Sequence, residues 1–225
     1  MKIKMKWQAA LVLVALLAVA GCENDAVAPH DDPPALSAGD TAIQAGLVTM
    51  ASTVVGAVIL DPDSVNKDAA GDIFFDNADG VTGVAHLDYY VGGPKGELST
   101  SEVADYAHLY TDENAPLLIE LGLGGMVALG FDLSSTIDQK TSEAVISGGG
   151  SFTSGPYTAS FAMNDVAVAL SDPYPNDGTV VFVGLFYEVT AYCDGTNIAV
   201  MEVTDGPTYE LNLDTGAVEE ITGEE

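Results

Sequence analysis

From Ala42 to Leu60 the chain carries no charged residue, and a stretch so long and so apolar has few ways to fold. Ile43, Leu47, Met50, Val54 and Val58 recur at spacings of four and three, the period of an α-helix. Ser37 or Asp40 can cap its start, and Asp61-Pro62 stops it. Length alone would allow a transmembrane span. Against a span stand Gln44, Thr49, Ser52, Thr53 and two glycines, and the flanks carry aspartates where basic anchors are usual. The expectation is a core helix over residues 40–60, buried nearly all round. A span and an interfacial helix are the alternatives.

The rest of the chain must supply the walls around that helix. Val81 to Val91 alternates: Val81, Gly83, Ala85, Leu87, Tyr89 and Val91 share one face, and Thr82, Val84, His86, Asp88 and Tyr90 share the other. That is the pattern of a half-buried strand. Ser99-Thr100-Ser101-Glu102 has capping-box spacing and predicts a short helix carrying Val103, Tyr106 and Tyr110, ended before Pro116. From Leu117 onward strands and turns follow one another. LLIELGLGG and MVALGFDL join near Gly124-Gly125, and SEAVISGGGSF precedes PYTASFAMNDVAVALS. Gly148, Gly149 and Gly150 read as a flexible break or a bulge. TVVFVGLFYEVTAYC, TNIAVMEVT and TYELNLD are separated by Asp194-Gly195 and Asp205-Gly206-Pro207. Asp-Gly pairs supply the positive φ that tight hairpins need. The predicted fold is therefore mainly β with one long N-terminal helix. Its strands form an antiparallel meander, an open or half-closed barrel packed on the helix, within one domain over 36–225. This layout is similar to that of LolA/LolB-type and LppX-type lipoproteins, without a shared residue motif, and more generally resembles uncharacterised β-rich envelope lipoproteins.

The first 22 residues, MKIKMKWQAALVLVALLAVAGC, join a basic start at Lys2, Lys4 and Lys6 to an apolar run from Ala9 to Ala20. The run is too short to span a bilayer and suits a secretory signal. It closes on Val19-Ala20-Gly21-Cys22, which resembles the bacterial lipobox. The resemblance implies removal of residues 1–21, a thioether-linked diacylglycerol on Cys22 and acylation of the new amine. The product is tethered to a membrane outside the cytoplasm. Glu23 stands where aspartate marks inner-membrane retention in that family, so the resemblance points to an outer membrane. Residues 22–35 then form an acidic spacer with Pro29, Pro33 and Pro34. Fully extended, it would reach about 40 Å at ~3.3 Å per residue.

Loss of the signal would leave Lys67, Lys95 and Lys140 against 34 Asp and Glu. Such a field repels phosphate backbones, so nucleic acid is no expected partner. Solubility in a salty habitat, bound Ca²⁺ and a cationic partner each account for the acidity. With Cys22 lipidated, Cys193 stands alone and no internal disulfide forms; its place on a strand predicts a buried, inert thiol.

Candidate chemistry is sparse. Asp61, Asp63, Asp68, Asp72, Asp76 and Asp79 offer hard oxygen ligands of the kind Ca²⁺ prefers, but Val65 and the missing frame around Asp76 break the EF-hand pattern. His86 and Asp88 share a strand face, and His108 lies near Asp105 and Asp112; these are the residues on which an enzyme would have to be built. Leu213-Asp214-Thr215-Gly216-Ala217 resembles the aspartic-protease signature, yet no second copy supplies the partner carboxylate, so it reads as a turn. Gly92-Gly93-Pro94-Lys95-Gly96 lacks phosphate-loop spacing and reads as a turn as well. With no arginine in the chain, bidentate anion recognition is excluded. The function expected is non-catalytic binding of an apolar ligand or an envelope partner; the alternative is an acidic structural module, with or without calcium. How completely the helix fills the sheet separates carriage from contact, since a carrier needs a cavity of ~300 Å³ or more.

Overall fold

The computed structural model describes residues 37–221 apart from 66, 69–70, 77–79, 121–124 and 173. Cys22, the signal, the spacer and Asp79 lie outside the described residues, as does the side chain of Asp76. Helix α1 spans Ala38–Leu60. Ser37 caps it: its hydroxyl oxygen accepts the Asp40 N–H at 3.1 Å while the Asp40 carboxylate accepts the Ser37 N–H at 2.9 Å. This reciprocal box satisfies two donors that a helix start would otherwise leave open. The last turn closes with Asp61 N–H donating to Ala57 C=O, and Pro62 opens a 3₁₀ turn over Pro62–Ser64. By length and composition α1 could cross a membrane, with a mean hydropathy of 1.9, but over half of that stretch is buried inside the fold. Its buried hydroxyls serve the helix itself, Thr49 donating to Ala45 C=O and Ser52 to Thr49 C=O. They therefore create no polar face.

Among the described residues thirteen strands form one sheet beside α1: β1 Asp72–Asp76, β2 Val81–Val91, β3 Glu97–Leu98, β4 Tyr106–Tyr110, β5 Leu117–Glu120, β6 Met126–Asp138, β7 Glu143–Ser154, β8 Tyr157–Ala169, β9 Asp177–Val183, β10 Glu188–Tyr192, β11 Ile198–Val203, β12 Thr208–Asn212 and β13 Val218–Glu220. All pairings between them are antiparallel. The path runs β1-β2-β4-β6-β7-β8-β9-β10-β11-β12-β13, and the sheet curls partway into a ring with β1 and β13 as its edges. Strands β4 and β5 share one row between β2 and β6, β4 pairing with the far half of β2 and β5 with its first residues. The excursion 111–116 separates them. The mainly antiparallel class with one N-terminal helix is thus as expected from the sequence.

Two local expectations change, and the break-or-bulge expected at glycines 148–150 resolves to a bulge. The segment predicted as a short helix after Ser99 is a turn followed by strand β4, because Ala107 and Leu109 alternate inward between Tyr106, His108 and Tyr110. The glycines 148–150 do not break the chain. They lie inside β7, where a Cβ on Gly149 would stand 2.4 Å from Phe161 O and one on Gly150 2.4 Å from Gly130 O. Glycine there lets neighbouring strands close in as the sheet coils, beside a bulge between Ile146 and Gly148. The run TVVFVGLFYEVTAYC is two strands, β9 and β10, because Gly184 N–H donates to Tyr187 C=O and turns the chain. An apolar turn sequence hides that hairpin.

The core sits between α1 and the concave face of the sheet. Val58, Ile59, Leu117, Ile119, Ile146, Phe182, Met201 and Leu211 are its largest fully enclosed members. Tyr89 of β2 donates its hydroxyl to Ile59 C=O at 2.8 Å, fixing the end of the helix to the sheet; burial, and then Asp61 and Asp63, push this phenol above its ordinary range.

Candidate functional site

Two features carry what chemistry the fold offers. The first is apolar and lies under the helix. Val48, Ala51 and Val55 of α1 face Phe131, Phe152 and Phe161 across a cavity of about 50 Å³, partly open to solvent and lined only by apolar side chains. Ligand pockets for whole small molecules run from ~300 Å³ upward, so this cavity is too small to enclose one. Among the described residues no buried side-chain nitrogen or oxygen lacks a partner. The core therefore aims no spare polar group at a ligand.

The second is polar and lies on the outer face of β1, β2, β4 and β6. Alternation along β2 and β4 turns His86, Asp88 and Tyr90, and Tyr106, His108 and Tyr110, away from the core. Register does the rest. His86 is paired with Tyr110, and Asp88 with His108. Tyr110 lies between the two imidazoles, its ring 5.0 Å from His86 and stacked 4.4 Å from His108. Carboxylates surround this stack: Asp72 Oδ1 is 2.7 Å from His86 Nδ1, Asp112 Oδ2 is 3.6 Å from His86 Nε2, and Asp132 Oδ1 is 2.9 Å from His108 Nε2. Tyr110 donates to Asp88 at 3.3 Å. Asp112 reaches His86 because the excursion between β4 and β5 turns there, with Ala115 N–H donating to Asp112 C=O. Partial burial opposes charge on His86, but the hydrogen bond and charge of Asp72, joined by Asp112, outweigh it and hold its pKa above the ordinary imidazole value. Burial and Asp88 push the Tyr110 phenol up.

The three residues singled out in the sequence, His86, Asp88 and His108, are thus brought onto one face. Each is engaged with a different neighbour, and no hydrogen bond links any two of them. Ser134, the cross-strand partner of His108, donates its hydroxyl to Ser147 C=O instead. The arrangement sets two imidazoles and a tyrosine among four carboxylates on one face of the sheet. Tyr110 and Asp132 complete the cluster and escaped sequence reasoning, while Asp112, expected beside His108, meets His86 instead. The alternation Tyr106-Ala-His108-Leu-Tyr110 could have revealed Tyr110; the places of Asp132 and Asp112 depend on register and on a turn.

The acidic segment is drawn into different tasks. Asp63 pairs with Lys67 at 3.9 Å, Asp68 accepts the Asp72 N–H, and Asp72 binds His86. Asp61 caps α1 through its backbone. Among the described residues no group of three or more His, Cys, Asp or Glu side chains is placed to hold a metal ion. Gly92 and Gly93, both at positive φ, turn their N–H groups onto the Asp105 carboxylate at 2.9–3.1 Å. These backbone donors hold the Asp105 pKa below the usual carboxylate range. The glycine cradle is occupied by the protein's own anion. Asp214 accepts from Tyr174 and Asn197 within the turn joining β12 and β13. Cys193 is buried, its thiol pushed up to about 11 by burial, with Asp194 and Asp177 adding to the effect.

No family model matches this chain, and no curated protein or solved structure is significantly similar to it.

Proposed function

We propose that this chain is an exported, lipid-anchored, non-catalytic protein of the cell envelope that works by contact at its surface rather than by carrying a ligand inside. The observation that carries the reading is the size of the apolar cavity between α1 and the sheet, about 50 Å³, a small fraction of what a carried molecule occupies. The lipobox-like Cys22 supplies the anchor in this reading, and the acidic surface supplies solubility and repulsion from other polyanions.

The all-apolar lining favours a second reading, in which the end of one alkyl chain enters between Ala51 and Phe131. Native mass spectrometry and lipid extraction of the purified, processed chain separate the two. Contact predicts a mass equal to protein plus anchor, and an Ala51→Leu variant that melts higher because it fills the void. A stoichiometric co-purified lipid, lost in Ala51→Leu, would replace contact with carriage.

A further inference from the structure

We infer that the β9–β10 hairpin tip is a second membrane contact that seats the Ser37 end of the domain in the lipid interface. The inference rests on the reading of Cys22 as a lipid anchor. Its own ground is where the described chain begins. Ser37 opens α1, and the spacer from Cys22 joins the domain there. The hairpin tip lies at that same end, since a Cβ on Gly184 would stand 3.1 Å from Thr41 Cγ2.

The hairpin tip at this end presents apolar side chains to solvent. Val183, Leu185 and Phe186 are exposed on the hairpin, Phe186 by 53%. Exposure alone does not select the end. Leu98, at 72%, and Val103, at 61%, are more exposed, and they belong to the opposite end, where β2 finishes beside the C-terminus of α1. A helix of 23 residues separates the two ends by roughly 35 Å at ~1.5 Å per residue. Tethering decides between them. A spacer whose fully extended reach is about 40 Å keeps the Ser37 end near the bilayer, at an effective concentration on the order of millimolar. A few apolar side chains are then enough for contact, as with interfacial helices that bury one face in the headgroup region.

Charge defines the surface it fits. Asp40, Glu188 and Glu220 stand at this end. Lys67 pairs with Asp63 past the end of α1, Lys95 lies in the β2–β3 turn, and Lys140 lies in the β6–β7 turn, where Gln139 reaches Ser101 and Ala104. The contact is therefore apolar insertion into a zwitterionic interface, not attraction to anionic headgroups.

The test uses tryptophan as a depth gauge. Trp7 is the only tryptophan and falls within the signal; Trp7→Phe in every variant removes it from the background. The full chain is expressed with its signal, purified, and inserted by its own anchor into vesicles of phosphatidylcholine brominated on the acyl chains. Phe186→Trp is expected to emit blue-shifted and to lose about half or more of its intensity to the bromines, at the ~5–10 Å depth where interfacial side chains sit. Leu98→Trp is expected to emit as a water-exposed indole in the same vesicles. Leu185→Trp repeats the measurement should Phe186→Trp lower the melting temperature. Lipidated protein with an unshifted, unquenched tryptophan at 186 and 185, or quenching at Leu98→Trp instead, overturns the contact and leaves the anchor standing. A Cys22 peptide of unmodified mass removes the anchor, and the inference falls with it.

Discussion

At the scale of single residues, two glycines of α1 show how close the sheet comes to the helix. Glycine inside a helix ordinarily costs ~1 kcal/mol relative to alanine, so propensity alone favours replacing both. At Gly56 a Cβ would stand 2.6 Å from Val168 Cβ and Cγ1, and the Cβ of Val168 moves only with strand β8. At Gly46 the nearest atom is Leu211 Cδ1 at 3.0 Å, the far end of a flexible side chain. Gly56→Ala is therefore expected to destabilise by about 1–3 kcal/mol, overpacking outweighing propensity, and Gly46→Ala to change stability by less than about 1 kcal/mol. Urea melts of the two variants check the contrast. His86 makes a pH-dependent contribution. Its folded pKa is raised by Asp72 and Asp112 against partial burial, so the folded state holds the proton more tightly. The stabilisation is full below the unfolded value of ~6.5 and is lost as pH rises through the folded one. His86→Gln is expected to flatten the dependence of the melting temperature on pH above the unfolded value of ~6.5. An unchanged slope would show that Asp72 and Asp112 do not hold the charged ring.

At the scale of elements, α1 is where sequence and structure agree most closely. The capping box at Ser37 and Asp40, the uncharged run and the stop at Pro62 are all local signals, and local signals survive in a single chain. Strands closed by Asp-Gly turns were legible for the same reason. Strand β4 was not, because Val103, Tyr106 and Tyr110 fit a helical spacing while Tyr106, His108 and Tyr110 fit an alternating one, and only packing of Ala107 and Leu109 decides between them. The turn at Gly184 was hidden by apolar neighbours that serve no core. The polar cluster was half legible: alternation gives the faces, but His86 meets Tyr110 and Asp112 through pairings more than twenty residues apart, which no local pattern encodes. The weight α1 carries can be measured at Ile59, which is 1% exposed and lies under Tyr89. Ile59→Ala is expected to cost about 2–5 kcal/mol, the range for buried aliphatic truncations, read as a lower urea midpoint.

At the scale of the whole molecule, charge and shape point the same way. A full-chain net charge of −28 repels itself across a surface that no described metal cluster neutralises. Raising sodium chloride from about 0.1 M to 1 M shortens the screening length from ~10 Å to ~3 Å and is expected to raise the melting temperature. Millimolar Ca²⁺ added in physiological salt is expected to leave it unchanged. A calcium-specific rise would mean that the segment Asp61–Asp79 gathers a site on binding. The sheet, meanwhile, curls partway around its own helix, and the long uncharged run of α1 is buried against its concave side.

That claim is tested most directly by amide hydrogen exchange of the lipidated chain in micelles, followed residue by residue as urea is raised. If α1 is the core of the sheet, its amides from Ala45 to Ile59 and those of β8 and β9 open with one free energy, and Ile59→Ala lowers both together. Protection of α1 that outlasts opening of the sheet, or that ignores Ile59→Ala, would make it a membrane segment and contradict the account.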